Sequence, residues 1–238
     1  MKKILCFIGI LVGCQFCMIQ KSFAQADMFR ANANRLKAEV NFAKWPGKNE
    51  PMRVAPVLLD LFRFPTITDK SPLARKFTAG RSGISPNVEL TLRHQYILSD
   101  RQRKNRLEIN LFIAPSSAEA HEYTILRFAA NSLPHALRVK DATPTRELRL
   151  GHVCFANGNK TENRFANIRF IRNNILVEIR ARGEKFQREA RGLAETIDYL
   201  LLKEKTGEDA TAYYNRELHK LKENRRREIK EKITREGP

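Results

Sequence analysis

The stretch from residue 165 to residue 181, FANIRFIRNNILVEIRA, decides the fold of this chain. Two apolar runs flank the tripeptide Arg172-Asn173-Asn174, and asparagine is one of the residues that favour tight turns. Two strands joined by so short a turn pair antiparallel. We therefore predict a β-hairpin with strands at residues 165–171 and 175–181.

A second hairpin is predicted upstream of the first one. Apolar or aromatic residues and one histidine alternate with polar residues in two runs, which are Val88, Leu90, Leu92, His94, Tyr96 and Leu98, then Leu107, Ile109, Leu111 and Ile113. A period of two places each set on one face of a strand. The polar stretch 99–106 joins these strands, and residues 148–156 form a fifth strand before the turn-forming residues 157–160.

Two helices accompany these five strands. Ser116 and Glu119 have capping-box spacing and predict a helix that runs to about residue 130. A second helix is indicated by apolar residues spaced four, three, four and three apart, which are Phe186, Ala190, Leu193, Ile197 and Leu200. Gly207 is predicted to end this helix. We predict an α+β fold, in which a mainly antiparallel sheet of about five strands has helices packed on one face.

Helical extensions are predicted at both ends of the sheet domain. An apolar stripe (Phe29, Ala33, Leu36, Val40) predicts a helix over residues 27–45, and residues 56–62 suggest a short second one. Residues 65–86 are rich in Pro, Gly, Ser and Thr and indicate a basic loop. The predicted organisation is a signal peptide at 1–26, a helical and loop region at 27–86, an α+β domain at 87–205 and a charged helix at 206–238.

The N-terminal segment has the pattern of a secretory signal peptide. A basic start is followed by an apolar run over residues 4–19 and by Ala24-Gln25-Ala26, a cleavage signal. We therefore expect export to the periplasm or the extracellular space. Leu11-Val12-Gly13-Cys14 also resembles a bacterial lipobox, so an alternative is a membrane-anchored lipoprotein with lipid on Cys14. No stretch after residue 26 is long and apolar enough to span a bilayer.

The charge of the chain is strongly positive. The 238 residues include 44 Lys and Arg against 26 Asp and Glu, and the formal net charge is +18. Removal of residues 1–26 takes away three lysines and leaves +15, so the charge belongs to the predicted mature protein. With 42% hydrophobic residues the chain can bury a core, which excludes wholesale disorder.

The sequence lacks the motifs of common enzyme classes. It contains neither a zinc-type histidine pair nor a nucleophile elbow, and neither a Walker A run nor a dinucleotide-binding fingerprint. Cys154 is the single cysteine after residue 26, and its apolar neighbours favour a buried side chain. We expect no cofactor, no metal and no catalytic residues.

Arginines of the predicted strands are the remaining candidates for a functional surface. Arg93, Arg169, Arg180 and Arg182 fall on strands and Arg172 in the turn between the last two. A shared face would suit an anionic polymer, an anionic lipid surface or another envelope protein. An ordinary solvated surface is the alternative interpretation. The expected protein is an exported bacterial envelope protein, a non-enzymatic binding or structural module with a basic surface.

Two alternative functions stay open at this point, and so does the role of the C-terminal helix. One is a polyanion- or nucleic-acid-binding protein, although export and the lack of an aromatic stacking motif disfavour nucleic acid. Another is an enzyme built on the sheet face or the 65–86 loop. The C-terminal helix, with 11 basic and 8 acidic residues from Lys203 onward, is a solvated or coiled extension, or contacts an acidic partner or an anionic membrane.

Overall fold

The computed structural model describes residues 30–55, 78–79, 92–99, 104–131, 139–159 and 161–236. The predicted signal peptide, Cys14, the helix at 56–62 and nearly all of the 65–86 loop lie outside these ranges. The described residues belong to two compact units. Of the described residues, the first unit contains those between 30 and 43 and those between 125 and 142, and the second unit contains all the others.

The first unit contains helix α1, described over residues 30–39. Its stripe residues Ala33, Leu36 and Val40 are buried, as the spacing predicts. The prediction that the helix reaches residue 45 is wrong, because Asn41 has a φ of 51° and ends the helix in the left-handed conformation. The unit also holds the end of helix α2, where Phe128 is buried.

The second unit is built on a six-stranded sheet. The strands are β1 (Thr78–Ala79), β2 (Leu92–Ser99), β3 (Arg106–Ile113), β4 (Val153–Asn159), β5 (Arg164–Arg172) and β6 (Ile175–Arg182). Their order in the sheet is β1-β2-β3-β6-β5-β4, and every neighbouring pair is antiparallel. The five longer strands correspond to the predicted ones, which confirms the α+β class.

Helices cover parts of both faces of this sheet. The helices are α2 (Ser117–Asn131), α3 (Glu184–Lys203) and α4 (Glu208–Glu236). α3 shares one core with the inward residues of β3 and β6, as predicted. The first turns of α4 join this core through Tyr214 and Leu218, although the sequence predicted only a charged extension there. The first two turns of α2 contact the opposite face, because the ring of Tyr123 is 5.2 Å from that of Phe112, which points away from Leu111 and Ile113.

Two turn predictions need correction. Asn157 and Asn159 belong to β4, with a bulge at Gly158, and the chain reverses after Asn159. A Cβ atom at Gly158 would collide with the carbonyl oxygen of Arg164, so glycine permits the close approach of these strands. Gly207 does not end α3, which stops at Lys203; it has a φ of 66° and lies directly before α4.

The predicted turn between β5 and β6 is confirmed at Asn173 and Asn174, with a φ of 53° at Asn173. The Asn173 amide donates to the Pro51 carbonyl oxygen at 2.6 Å. The Asn174 amide oxygen accepts from the backbone N–H of Arg53 at 2.6 Å. The Arg53 guanidinium in turn donates to carbonyl oxygens at the C-terminal end of α3, including that of Leu202. This turn therefore fastens the sheet to α3 through the segment around Arg53.

Candidate functional site

Strand register brings five arginines to the sheet face opposite α3. Alternation places Arg93 of β2, Arg106 of β3, Arg169 of β5 and Arg180 and Arg182 of β6 on this face. We call these five residues the arginine face. The part of the same sheet face near the β5–β6 turn is apolar and carries the buried side chains of Phe112 and Leu176. Phe112 contacts Tyr123 of α2 there.

The inner part of the arginine face surrounds a buried carboxylate. The Glu178 side chain is 0% exposed, and its carboxylate lies 3.0 Å from Arg169 Nε and 3.3 Å from Arg180 Nη2. Asn110, opposite Glu178 on β3, is also buried and accepts hydrogen bonds from the Arg93 guanidinium at 2.7 and 3.0 Å. These contacts fix Arg93 and Arg169 in place, because each polar partner is itself buried.

A second carboxylate, Glu108, lies on β3 two residues closer to Arg106 than Asn110 does. It accepts hydrogen bonds from Gln95 and Asn110, each at 3.0 Å, and from Arg106 at 3.1 Å. Burial raises the pKa of Glu108, but the Asn110 hydrogen bond and the charges of Arg180 and Arg106 outweigh burial and hold that pKa below its usual value. Glu108 is therefore ionised at neutral pH.

Arginine charge exceeds carboxylate charge on this face. The face carries five arginines and two glutamates, Glu108 and Glu178, so its net charge is +3. Arg106, Arg180 and Arg182 lie at the outer end of this face, and we call them the arginine corner. Arg106 and Arg182 are directly opposite each other on β3 and β6, and Arg180 is two residues away on the same side of β6. Directly opposite residues have Cβ atoms about 4.5–5.5 Å apart, so like charges repel at this distance.

The arginine corner is accessible. The side chains of Arg106 and Arg180 are 39% and 41% exposed, and Arg182 is exposed. Within the part of the chain that the structure describes, Arg182 makes no ion pair. A planar guanidinium suits the oxygens of phosphate, sulfate or carboxylate groups, to which it can donate two parallel hydrogen bonds. The corner can therefore hold an oxyanion.

Four of the five arginines predicted from the sequence lie together on this face, and Arg172 does not. Arg172 is the last residue of β5 rather than part of the turn. Its guanidinium donates to both carboxylate oxygens of Asp198 on α3, at 2.7 and 2.8 Å. This bidentate pair lies on the helix-covered face, so Arg172 fastens α3 to the sheet instead of joining the arginine face.

Sequence reasoning missed Arg106, Glu108 and Glu178. Arg106 fell in the predicted hairpin loop, whereas it is the first residue of β3. The charges of Glu108 and Glu178 were visible, but their position among the arginines depends on the pairing of β3 with β6. That pairing joins strands far apart in the sequence, and alternation within one strand does not reveal it.

Other reactive side chains are buried in structural positions. His121 has a ring nitrogen 2.7 Å from the Ser117 carbonyl oxygen and the other 2.9 Å from that of Pro46. Cys154 is buried in the core as predicted, and its burial raises the pKa of the thiol to about 12. No group of side chains suited to a metal ion occurs among the described residues.

Comparison of the chain with protein-family models, curated proteins and solved structures gives no match. In the described ranges, none of the helices has both the length and the apolar character needed to cross a membrane.

Proposed function

We propose that this protein is an exported, non-enzymatic binding module whose arginine corner holds an anionic group of its ligand. The observation that carries the proposal is the position of Arg106 directly opposite Arg182. Like charges in opposite positions destabilise a sheet. A bound anion would offset this repulsion, because both guanidinium groups could then donate hydrogen bonds to the same oxyanion.

The surroundings of the corner support a binding role. Glu108 accepts from Arg106 at 3.1 Å and Glu178 lies 3.3 Å from Arg180, so two of the three corner side chains are oriented before any ligand arrives. Orientation in advance reduces the entropy lost on binding. The corner keeps a positive excess in spite of these glutamates.

The proposed ligand is an anionic polymer of the cell envelope, because the signal-like N-terminal segment suggests export. A polymer with repeated oxyanions could occupy the corner and reach Arg93 farther along the same face. Nucleic acid is a weaker candidate, since RNA-binding sheets offer exposed aromatic rings for base stacking. The aromatic side chains Phe112 and Phe155 on this face are buried.

Retention of the purified protein on a polyphosphate or heparin column tests the proposal. The variant Arg106→Gln/Arg182→Gln should elute at lower salt than the wild type. The slope of log binding constant against log salt concentration should become shallower by about two, one for each arginine removed. The matched control is Arg188→Gln/Arg191→Gln, which removes two exposed arginines from α3. Its elution should stay close to the wild-type position.

Two results would contradict the proposal. An equal shift in both variants would mean that net charge alone governs retention and that the corner has no special part. Turnover in a broad hydrolase screen that disappears in the corner variant would instead identify a catalytic site.

A further inference from the structure

The second half of α4 projects from the core. Tyr214 and Leu218 near its start are buried in the core of the second unit. From His219 to Arg235 the described side chains are exposed or half-exposed. A helix rises 1.5 Å per residue, so residues 219–236 extend roughly 27 Å. The fold does not account for the sequence of this segment, because the described side chains are not buried.

Two large apolar side chains stand on this exposed segment. Ile229 is 52% exposed and Ile233 is 66% exposed. Residues four apart lie on the same side of a helix, so the two isoleucines form one small apolar patch.

Charges are segregated around this patch. Successive residues of a helix are about 100° apart, because 3.6 residues make a turn. Among the described side chains between Lys222 and Arg235, the half of the helix surface centred on the isoleucines carries basic residues and no acidic one. We call this half the isoleucine face, and its basic residues are Lys222, Arg226, Lys230 and Lys232.

The opposite half of the same segment carries the acidic residues. Glu223, Glu228 and Glu231 all lie there, together with Arg227 and Arg235. Ion pairs between neighbouring turns can form on any side of an exposed helix, so they do not require acidic residues to be confined to one half of its surface. The sorting therefore indicates that the two halves meet different surroundings.

We propose that the isoleucine face of α4 docks on an anionic lipid membrane surface. Isoleucine side chains can enter the boundary between head groups and acyl chains. Lysine and arginine beside them can lay their apolar stems along that boundary and extend their charged ends to lipid phosphates. The glutamates then remain on the water side. This interface is separate from the arginine corner and does not depend on it.

A second copy of the chain fits this face less well. Two isoleucine faces brought together would set the four basic residues of one against the four of the other. Two isoleucines also make a seam much shorter than the three or four heptads that a coiled coil normally needs. Charge complementarity therefore favours the anionic bilayer.

Sedimentation of the purified protein with lipid vesicles tests the proposal. We expect binding to vesicles of phosphatidylglycerol and phosphatidylcholine in equal parts, weakening with salt, and little binding to phosphatidylcholine alone. The variant Lys222→Gln/Arg226→Gln should bind about 25-fold more weakly, since each basic residue near the surface contributes roughly a factor of five. Ile229→Gln/Ile233→Gln should also weaken binding severalfold.

The matched control is Arg227→Gln/Arg235→Gln, which removes the same charge from the opposite half and should lose less than about threefold in affinity. Circular dichroism should stay unchanged in all three variants, because the replaced side chains are exposed and glutamine is a good helix former. Arg106→Gln/Arg182→Gln should keep wild-type vesicle binding.

Several results would overturn the proposal. These are no preference for phosphatidylglycerol, equal losses in Lys222→Gln/Arg226→Gln and the control, or full binding by every α4 variant. A dimer in analytical ultracentrifugation that Ile229→Gln/Ile233→Gln abolishes, without vesicle binding, would identify a second copy as the occupant instead.

Discussion

Glu178 has no exposed side-chain surface, and Arg169 on the neighbouring strand places its Nε atom 3.0 Å from the Glu178 carboxylate. A carboxylate moved from water into a protein interior loses several kcal/mol of hydration, which only close ion pairs and hydrogen bonds restore. Arg169 is therefore a structural partner of Glu178. The arginine face thus has an inner part that serves the fold and an outer corner that is open to a ligand.

Replacement of Glu178 by alanine should strongly destabilise the protein. We expect Glu178→Ala to lower the free energy of unfolding by about 3–5 kcal/mol, because Arg169 is left buried without its counter-charge. Urea unfolding followed by circular dichroism measures the loss. Glu195→Ala, which breaks an exposed pair with Arg191, is the control and should cost under about 1 kcal/mol.

A double variant separates charge from packing at this position. Arg169→Met/Glu178→Leu removes both charges and should recover much of the stability lost in Glu178→Ala. A double variant as unstable as Glu178→Ala would show that the pair itself, rather than an uncompensated charge, stabilises the sheet.

Arg182 should weaken the fold and strengthen anion binding. Arg182→Thr removes the like charge opposite Arg106, so the free energy of unfolding should rise by about 0.2–1 kcal/mol while retention on polyphosphate falls. Arg182→Glu should raise the free energy of unfolding and lower the retention on polyphosphate more than Arg182→Thr does, because the glutamate can pair with Arg106. A clear loss of stability in Arg182→Thr would instead assign Arg182 to the fold.

Local patterns in the sequence account for much of this structure. Alternation of apolar and polar residues predicted the strands of the β2–β3 hairpin, and two apolar runs on either side of a turn predicted those of the β5–β6 hairpin. The Ser116–Glu119 capping box begins α2 with the expected hydrogen bond of 3.2 Å from the Glu119 N–H to Ser116 Oγ. Each of these signals involves residues close together in the chain. Neighbouring residues fix such features by sterics and local hydrogen bonding, so a single sequence contains them.

Contacts between distant segments were beyond the sequence. Alternation places Arg180 on a strand face, but only the pairing of β3 with β6 brings Arg106 opposite Arg182. Arg172 has its partner on α3, at Asp198, and nothing in the sequence singles out that carboxylate among 26 acidic residues. The start of α2 contacts the second sheet face through Phe112, which occupies a position of β3 where alternation places polar side chains. One aromatic residue was too weak a signal to predict this contact.

The side chain of Asn173 should matter as much as its backbone conformation. Asn173→Gly keeps a residue that tolerates a φ of 53°, but it leaves the Pro51 carbonyl without its 2.6 Å donor. We expect a loss of about 1–3 kcal/mol in urea unfolding. Asn173→Ala should lose about 1 kcal/mol more, because alanine is strained at positive φ.

The control for the turn is Asn163→Gly, at an exposed position with a φ of 51°. It should change the free energy of unfolding by no more than about 0.5 kcal/mol. Wild-type stability in Asn173→Gly would mean that the hydrogen bonds around this turn contribute nothing measurable.

Cys154 should resist alkylation in the folded protein. Burial raises the pKa of its thiol to about 12, and the nearby Asp198 carboxylate adds to this effect. At pH 8 only about one thiol in ten thousand would be the reactive thiolate. Iodoacetamide labelling followed by mass spectrometry of the Cys154 peptide should show slow modification that accelerates when urea unfolds the chain. Rapid labelling without urea would contradict the buried position.

The stability of the protein should fall when the pH drops below about 6.5, the ordinary pKa of histidine in an unfolded chain. Burial lowers the pKa of His121, and this effect outweighs the hydrogen bonds to the Ser117 and Pro46 carbonyls, which act in the opposite direction. The unfolded state therefore binds more protons than the folded state between the two pKa values, so acid favours unfolding.

His94 contributes in the same direction. Burial lowers the pKa of His94 more than the charge of Glu217 raises it. Urea unfolding at pH 7.5 and pH 5.5 measures the combined effect, and the free energy of unfolding should be smaller at pH 5.5. His121→Gln should show a smaller difference between the two pH values than the wild type, whatever its absolute stability. An unchanged difference would place the acid sensitivity in other groups, and a wild type more stable at pH 5.5 would mean that the paired carbonyls hold His121 in its protonated form.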